Sequence, residues 1–301
     1  MAVDDNTAPS APQDALKAGI AKLYDESESL WETLWGDHLH HGYYEPGAPV
    51  PADRRQPQVD MVDRVCDWAG IQSVKEGIDI GCGVGGSSRH ILERYPGSRM
   101  TGITLSPVQA ARAGELTAQA GLGSRAEFQV ADALDQPFES GRFDLVWSLE
   151  SGEHMPDKER FVREMVRVGK PGGKVVLVTW CHRNLEPGEK ALTAWEQRLL
   201  RLISRVYYLP PWCSLDDYRR IFDELKIQDV KTDDWSVYVK PFWGEVIKSS
   251  FSMQAVKCLF KAGMATFKVT DGALVMPLMA LGLRQGTIRF VLISGTIPET
   301  R

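Results

Sequence analysis

The 301-residue chain lacks any apolar run of the roughly 20 residues that a membrane-spanning helix needs. Its longest candidate, Gly272 to Leu283 (GALVMPLMALGL), is short and carries Pro277. That segment reads either as a buried helix or as one that dips into a membrane surface, so membrane contact is at most peripheral. A surplus of positive charge is also missing, with 35 Lys and Arg against 40 Asp and Glu and a net charge of -5. Binding along a nucleic-acid backbone rests on clustered cations, so nucleic acid is excluded as a partner. Cysteine is sparse: Cys66, Cys82, Cys181, Cys213 and Cys258 are odd in number, scattered, and never form a C-x-x-C pair. This argues against a disulfide framework and fits a reducing compartment. The opening MAVDDNTAPSAPQD has no apolar signal core and no Arg enrichment. Residues 1–15 read as a disordered tail.

What remains is enough chain for one large domain, 16–301, with no internal repeat. From Ala15 to Trp35 the residues Leu16, Ile20, Leu23, Leu30 and Leu34 keep helical spacing. Gly36 to Pro57 is dense in His, Gly and Pro, which breaks both periodicities and predicts an ordered loop; a helix follows over Gln58 to Ala69. Together 16–70 read as an N-terminal helical lid. Beyond Gly70, short apolar strands near Gly77–Gly81, Met100–Thr104, Ala126–Val130, Phe143–Ser148 and Lys174–Val178 alternate with helical stretches. That alternation predicts an α/β fold, a doubly wound parallel sheet with helices on both faces. The stretch 186–266 loses the strand rhythm and is rich in aromatics, which predicts a mostly helical cap insertion. The β-branched run Gly286 to Ser294 returns to the sheet.

The sharpest local signal is GIDIGCGVGGSS, Gly77 to Ser88, a strand entering Gly-x-Gly-x-Gly and then a helix. Glycine lets backbone approach a ligand and adopt conformations that a Cβ forbids. Gly81, Gly83 and Gly86 also fit the looser dinucleotide pattern, so an NAD site has to be weighed. Asp79, two residues before the first glycine, would repel a pyrophosphate but face a cationic amine such as the ammonium of S-adenosylmethionine (SAM). The acidic residue that a dinucleotide ribose expects is absent from GITLSPVQ, where Gln109 offers a neutral alternative. Asp132, after the third strand, is placed to accept from an adenine amino group, or serves as turn chemistry.

The segments GIDIGCGVGGSSRH, GITLSPVQ, VADALDQPF, FDLVWSLESGEHMPDKERFVREMVRV, PGGKVVLVTWCHRN and LWGDHLHHGYYEPG together resemble gamma-tocopherol methyltransferases of photosynthetic organisms. The likeness runs from about Ala21 to the C-terminus, and more weakly it extends to plant alkaloid N-methyltransferases. It implies the Class I SAM-dependent methyltransferase fold, a Rossmann-like seven-stranded sheet with its last strand antiparallel. It also implies methyl transfer from SAM to a ring carbon of gamma-tocopherol and delta-tocopherol, with N-methylation of an indole alkaloid as the alternative. By the same resemblance Gly81, Gly83, Leu105, Gln109, Asp132, Ala133 and Ser148 match positions that hold SAM, and Tyr24 matches a tyrosine that covers its carboxylate. A plastid location follows too, with the transit segment outside this chain. Lys170 departs from the family pattern, and Phe251 to Thr270 is less similar.

Methyl transfer is an in-line displacement, so the protein has mainly to hold the two reactants in line. A phenol becomes a strong carbon nucleophile once its hydroxyl, with a pKa near 10, gives up its proton. An acceptor for that proton is expected at Glu153 and His154, the Glu-His pair that the alkaloid relatives keep, with Glu150 in support. The alternative is that these residues pin the segment before Met155-Pro156. His38, His40 and His41 beside Asp37 resemble zinc ligands, but no cysteine lies near and the displacement needs no Lewis acid. They are expected in a lid that closes with Tyr43 and Tyr44, and no metal is expected. Trp195, Tyr207, Tyr208, Trp212, Trp235, Phe242 and Trp243 either line a tunnel for a lipophilic tail or fill the core of the cap.

Overall fold

The computed structural model describes residues 36–299 apart from 52, 54 and 251–266. The expected lead-in helix, Tyr24 and Cys258 lie outside the described residues. Seven strands form one sheet: β1 (Glu76–Ile80), β2 (Arg99–Thr104), β3 (Ala126–Val130), β4 (Phe143–Leu149), β5 (Gly169–His182), β6 (Gln228–Asp234) and β7 (Ile288–Thr296). The order across it is β3-β2-β1-β4-β5-β7-β6. β1 to β5 pair in parallel, and β7 runs antiparallel between β5 and β6. This is the doubly wound sheet with an antiparallel last strand that the sequence implies.

Eight helices are described: α1 (Gln56–Ala69), α2 (Gly86–Arg94), α3 (Pro107–Gln119), α4 (Lys158–Val168), α5 (Ala194–Tyr207), α6 (Leu215–Glu224), α7 (Ser236–Ser250) and α8 (Phe267–Gln285). Successive side chains of a strand point to opposite faces, and the central strands are apolar at both phases. Val176, Val178 and Trp180 of β5 join Trp147 of β4 and Phe290 and Leu292 of β7 in one core, with α1, α2, α5, α7 and α8 against it. Val175, Leu177 and Cys181 join Ile78 and Ile80 of β1 and Val291 and Ile293 of β7 in the other, covered by α4 and α6. A sheet buried on both faces reads as continuous apolar runs, which is why β1, β2, β4 and β5 were legible.

One expectation changes and one pair of alternatives narrows. The stretch 186–266 is not one helical insertion, because β6 lies inside it and pairs with β7. Its sequence QDVKTDD is exposed everywhere but Val230, so an edge strand carried no apolar signal. The run 272–283 belongs to α8, whose Met279 and Leu283 are buried in the first core. No helix among the described residues is long and apolar enough to cross a membrane.

Candidate active site

The C-terminal ends of β1 to β4 open into one cleft, as ligand sites of open α/β sheets do. Its floor is bare backbone. Gly81 and Gly83 hold φ of +80° and +52°, in the region that favours glycine. A Cβ on Gly81 would lie 2.3 Å from Cβ of Ser151, and one on Gly83 would lie 3.1 Å from Cδ1 of Leu39. Beneath this turn Asp79 is buried, and Ser88 Oγ donates to its Oδ2 at 2.7 Å. Burial pushes the Asp79 carboxyl up to about 6 against that hydrogen bond. A cation at the cleft floor would favour its charged form.

Beyond β2, the Ser106 hydroxyl caps α3 by accepting the Gln109 N–H at 3.0 Å, and Thr104 Oγ1 donates to Gln109 Oε1 at 2.8 Å. These bonds fix Leu105 and Gln109 in the cleft wall. After β3, Asp132 does the work of a turn, accepting the Leu134 N–H on Oδ1 at 2.9 Å, yet it lines the cleft with Ala133. The turn reading of Asp132 is thus met, and its place in the lining leaves it in reach of a ligand.

The chain leaves β4 through Glu150 at φ +56°, a conformation that costs about 1–3 kcal/mol outside glycine and that surrounding contacts must hold. The Glu150 carboxylate provides them. Its Oε1 accepts the His41 backbone N–H at 2.6 Å, and its Oε2 pairs with His41 Nδ1 at 2.6 Å and accepts from Trp180 Nε1 at 3.1 Å. Burial raises the Glu150 pKa, but His41 outweighs it and leaves the carboxyl below its ordinary value. Ser148 is fully buried behind the wall, where its hydroxyl meets Ser151 Oγ at 2.6 Å, and Ser151 Oγ in turn donates to Ile80 O at 2.8 Å. Ser151, not Ser148, faces the cleft.

A single 3₁₀ turn, Gly152–His154, follows. Glu153 is turned from the cleft and accepts from Thr179 Oγ1 at 2.7 Å; burial first, then the charge of Glu150, lifts its carboxyl to about 7. His154 does line the cleft, and burial, then the Lys158 ammonium, lowers it to about 4, so its ring is neutral at neutral pH. Lys158 Nζ donates to the carbonyls of Gly152 and Glu153 at 2.8 and 2.9 Å and clamps the turn.

The histidine-rich loop is pinned, as expected of an ordered segment, but by partners that spacing does not reveal. Gln58 of α1 donates to the carbonyls of His38 and His40 at 2.7 and 3.0 Å. His40 Nδ1 donates to His41 O at 3.0 Å, which leaves His40 Nε2 to accept from His38 Nδ1, also at 3.0 Å. Leu39 and His40 reach the cleft. Tyr43 and Tyr44 do not close over it: Tyr43 stacks on Tyr238 with centroids 4.6 Å apart, and Tyr44 N–H donates to Tyr238 O at 2.9 Å. None of the seven cap aromatics lines this cleft either. Trp235, Phe242 and Trp243 are core, and Trp195 is on the surface, 52% exposed.

Of the residues expected to hold cofactor or substrate, Asp79, Gly81, Gly83, Leu105, Gln109, Asp132, Ala133, Glu150 and His154 thus meet in one cleft, while Ser148 and Glu153 stand behind its wall. Leu39, Ser87 and Ser151 were not singled out for the site, whereas His40, expected in a lid, does reach the cleft. Ser87 lies within the glycine motif itself, while Ser151 supplies the small side chain that leaves room beside Gly81.

Residues 78–177 match the family model described as a methyltransferase domain. The chain is 48% identical over 296 residues to the tocopherol O-methyltransferase, chloroplastic, of Arabidopsis thaliana, covering 95% of this chain and 84% of that protein. The chain belongs to the tocopherol methyltransferase family. It is a SAM-dependent methyltransferase, and the cleft fits that cofactor in having a glycine floor that a Cβ would fill and a buried carboxylate whose charged form a cation would stabilise. The methyltransferase is also 36% identical over 284 residues to norajmaline N-methyltransferase of Rauvolfia serpentina, covering 91% of this chain and 96% of that one. It shares its fold with the solved geranyl diphosphate C-methyltransferase of Streptomyces coelicolor A3(2), at a TM-score of 0.72 and 22% identity over 96% of this chain and all of that one.

Proposed function

We propose that this methyltransferase places a methyl group on an aromatic ring carbon of gamma-tocopherol, and of delta-tocopherol, giving alpha- and beta-tocopherol in a plastid. The reading is carried by the relatedness to the Arabidopsis protein across nearly the whole chain. SAM supplies an electrophilic methyl on a sulfonium. In this reading Asp79 balances its ammonium, the backbone at Gly81 and Gly83 cradles its methionyl end, Leu105 and Gln109 hold the ribose, and Asp132 and Ala133 take the adenine. Tyr24 covers the carboxylate, and Ser148 acts through Ser151.

The β4 rim meets the acceptor. Glu150, Ser151, His154 and Met155 line that part of the cleft, so a phenol lying against them presents its hydroxyl to buried polar groups. Neutral His154 orients that hydroxyl, and Glu153 supports the turn from behind. At neutral pH only about one phenol in a thousand is ionised, so an acceptor that takes its proton raises the carbon's nucleophilicity.

The test is turnover of the purified protein on gamma-tocopherol, delta-tocopherol and an indole alkaloid with methyl-labelled SAM. Methylated tocopherols are expected. Label confined to the alkaloid nitrogen would favour the second reading, an N-methyltransferase, for which the Rauvolfia relative speaks.

A further inference from the structure

Residues 37–41 cross the cleft between two of its walls, and a carboxylate ties down each end. At one end Asp37 Oδ2 accepts from Arg89 Nη2 at 2.8 Å, and Asp37 Oδ1 pairs with Arg55 Nη2 at 2.5 Å. Arg89 is buried on α2, directly after the Ser88 that bonds Asp79. It also donates to backbone, from Nη1 to Val84 O inside the glycine turn at 2.6 Å and from Nη2 to Asp37 O at 3.1 Å. One guanidinium thus joins the loop to the glycine turn. The approach is close, since a Cβ on Gly86, the first residue of α2, would lie 2.6 Å from Asp37 O and 2.7 Å from His38 Nδ1. At the other end the His41 N–H and ring Nδ1 meet Glu150 Oε1 and Oε2, each at 2.6 Å.

Arg89 belongs to the helix after β1 and Glu150 to the end of β4, and these strands are neighbours in the sheet. Between the two ties Leu39 and His40 reach the cleft. Leu39 lies on the glycine floor, where its Cδ1 would be 3.1 Å from a Cβ on Gly83. Glu150 lines the β4 rim, and its bonds to His41 help hold its φ of +56°. A segment fixed at both ends is ordered before a ligand arrives, so none of the ligand's binding energy is spent on ordering it. Once one end is freed, the ligand lying nearest that end has to do the ordering. The two ends meet different ligands, cofactor at the floor and acceptor at the rim.

We propose that residues 37–41 form a strap whose two ties serve the two halves of the site separately. Arg89, through Asp37, positions Leu39 over the cofactor, and His41 positions Glu150 toward the acceptor. Neither Arg89 nor His41 lines the cleft, so both are positioning residues rather than catalytic ones. The cofactor half needs only the use of SAM; the acceptor half rests on the tocopherol reading. Two buried ties with a merely structural role would, when broken, weaken both halves together. A strap divides the losses.

The experiment measures SAM affinity by calorimetry, and kcat and KM for gamma-tocopherol at saturating SAM, in variants whose folding is checked by circular dichroism. Arg89→Met, which leaves Asp37 its pairing with Arg55, should weaken SAM about tenfold or more and keep the tocopherol KM within about threefold. Asp37→Asn should act in the same direction. The double variant should bind SAM no more than about threefold worse than Arg89→Met alone, because both changes cut the same tie. His41→Leu should do the reverse, lowering kcat/KM for tocopherol about tenfold or more with SAM affinity within about threefold of native. His41→Asn, whose amide can still donate to Glu150, should recover most of that loss. SAM affinity near native in both Arg89→Met and Asp37→Asn overturns the proposal, as do additive losses in their double variant. A His41→Leu enzyme that loses SAM and tocopherol alike, or that His41→Asn does not improve on, overturns it too. Should Arg89→Met fail to fold, Asp37→Asn decides the cofactor half. Native enzyme that binds SAM and methylates an amine but no tocopherol sinks the substrate reading alone; the calorimetric results stand, and the acceptor constants are then taken on the amine.

Discussion

Asp79 sets the behaviour of the cofactor floor. Its folded pKa, about 6, lies above the ordinary carboxylate value because it is buried, so the folded protein binds that proton more tightly than the unfolded chain does. The stability this group contributes is present below about pH 4 and is lost as pH rises through about 6. Asp79→Asn should therefore raise the stability of the cofactor-free protein at pH 7.5, by on the order of 1–3 kcal/mol in chemical denaturation. The same variant should weaken SAM binding at least tenfold by calorimetry, and native affinity should fall as pH drops below about 6. A variant that binds SAM like the native protein would remove Asp79 from the site. Gly81→Ala should abolish measurable SAM binding, since its Cβ would strike Ser151 at 2.3 Å and its φ of +80° disfavours alanine. A normal Kd for that variant would contradict the backbone floor. These two residues were legible because strand, carboxylate and glycines are neighbours in sequence. His41 and Glu150 are 109 positions apart, and spacing along the chain says nothing about such a pair.

Among elements, the 3₁₀ turn after β4 is held by a device that periodicity cannot show. Lys158, at the start of α4, reaches back to two carbonyls of the turn. Lys158→Met would leave both without their charged donor, and hydrogen bonds to charged groups are worth about 1.5–3 kcal/mol each. Expected is a loss of about 2 kcal/mol or more in urea unfolding, together with reduced kcat; unchanged unfolding would mean that the turn stands by itself. The sequence named this turn as functional but put Glu153 at its face. Which side of so tight a turn meets the cleft depends on the register of β4 against β5, where Leu149 pairs with Val178. Edge strand β6 was lost for the opposite reason: its one half-buried residue, Val230, leaves no alternation to read.

Across the whole molecule, the sheet divides the labour. Its apolar strands, covered on both faces, make a rigid base, and only their C-terminal ends carry polar residues into the cleft. The architecture followed from the alternation of strands and helices, and SAM use followed from the glycine turn and the family likeness. The far wall of the cleft was less legible because it is built from distant segments, Leu39 and His40 of loop 36–44 and Glu150, Ser151 and His154 of the β4 rim. The most direct measurement is to incubate the enzyme with gamma-tocopherol and SAM carrying a ¹³C methyl group and locate the label by NMR. A ¹³C methyl on the ring carbon beside the hydroxyl is the predicted result. A ¹³C methyl on the phenolic oxygen would contradict carbon methylation, and no labelled tocopherol at all would contradict the substrate assignment.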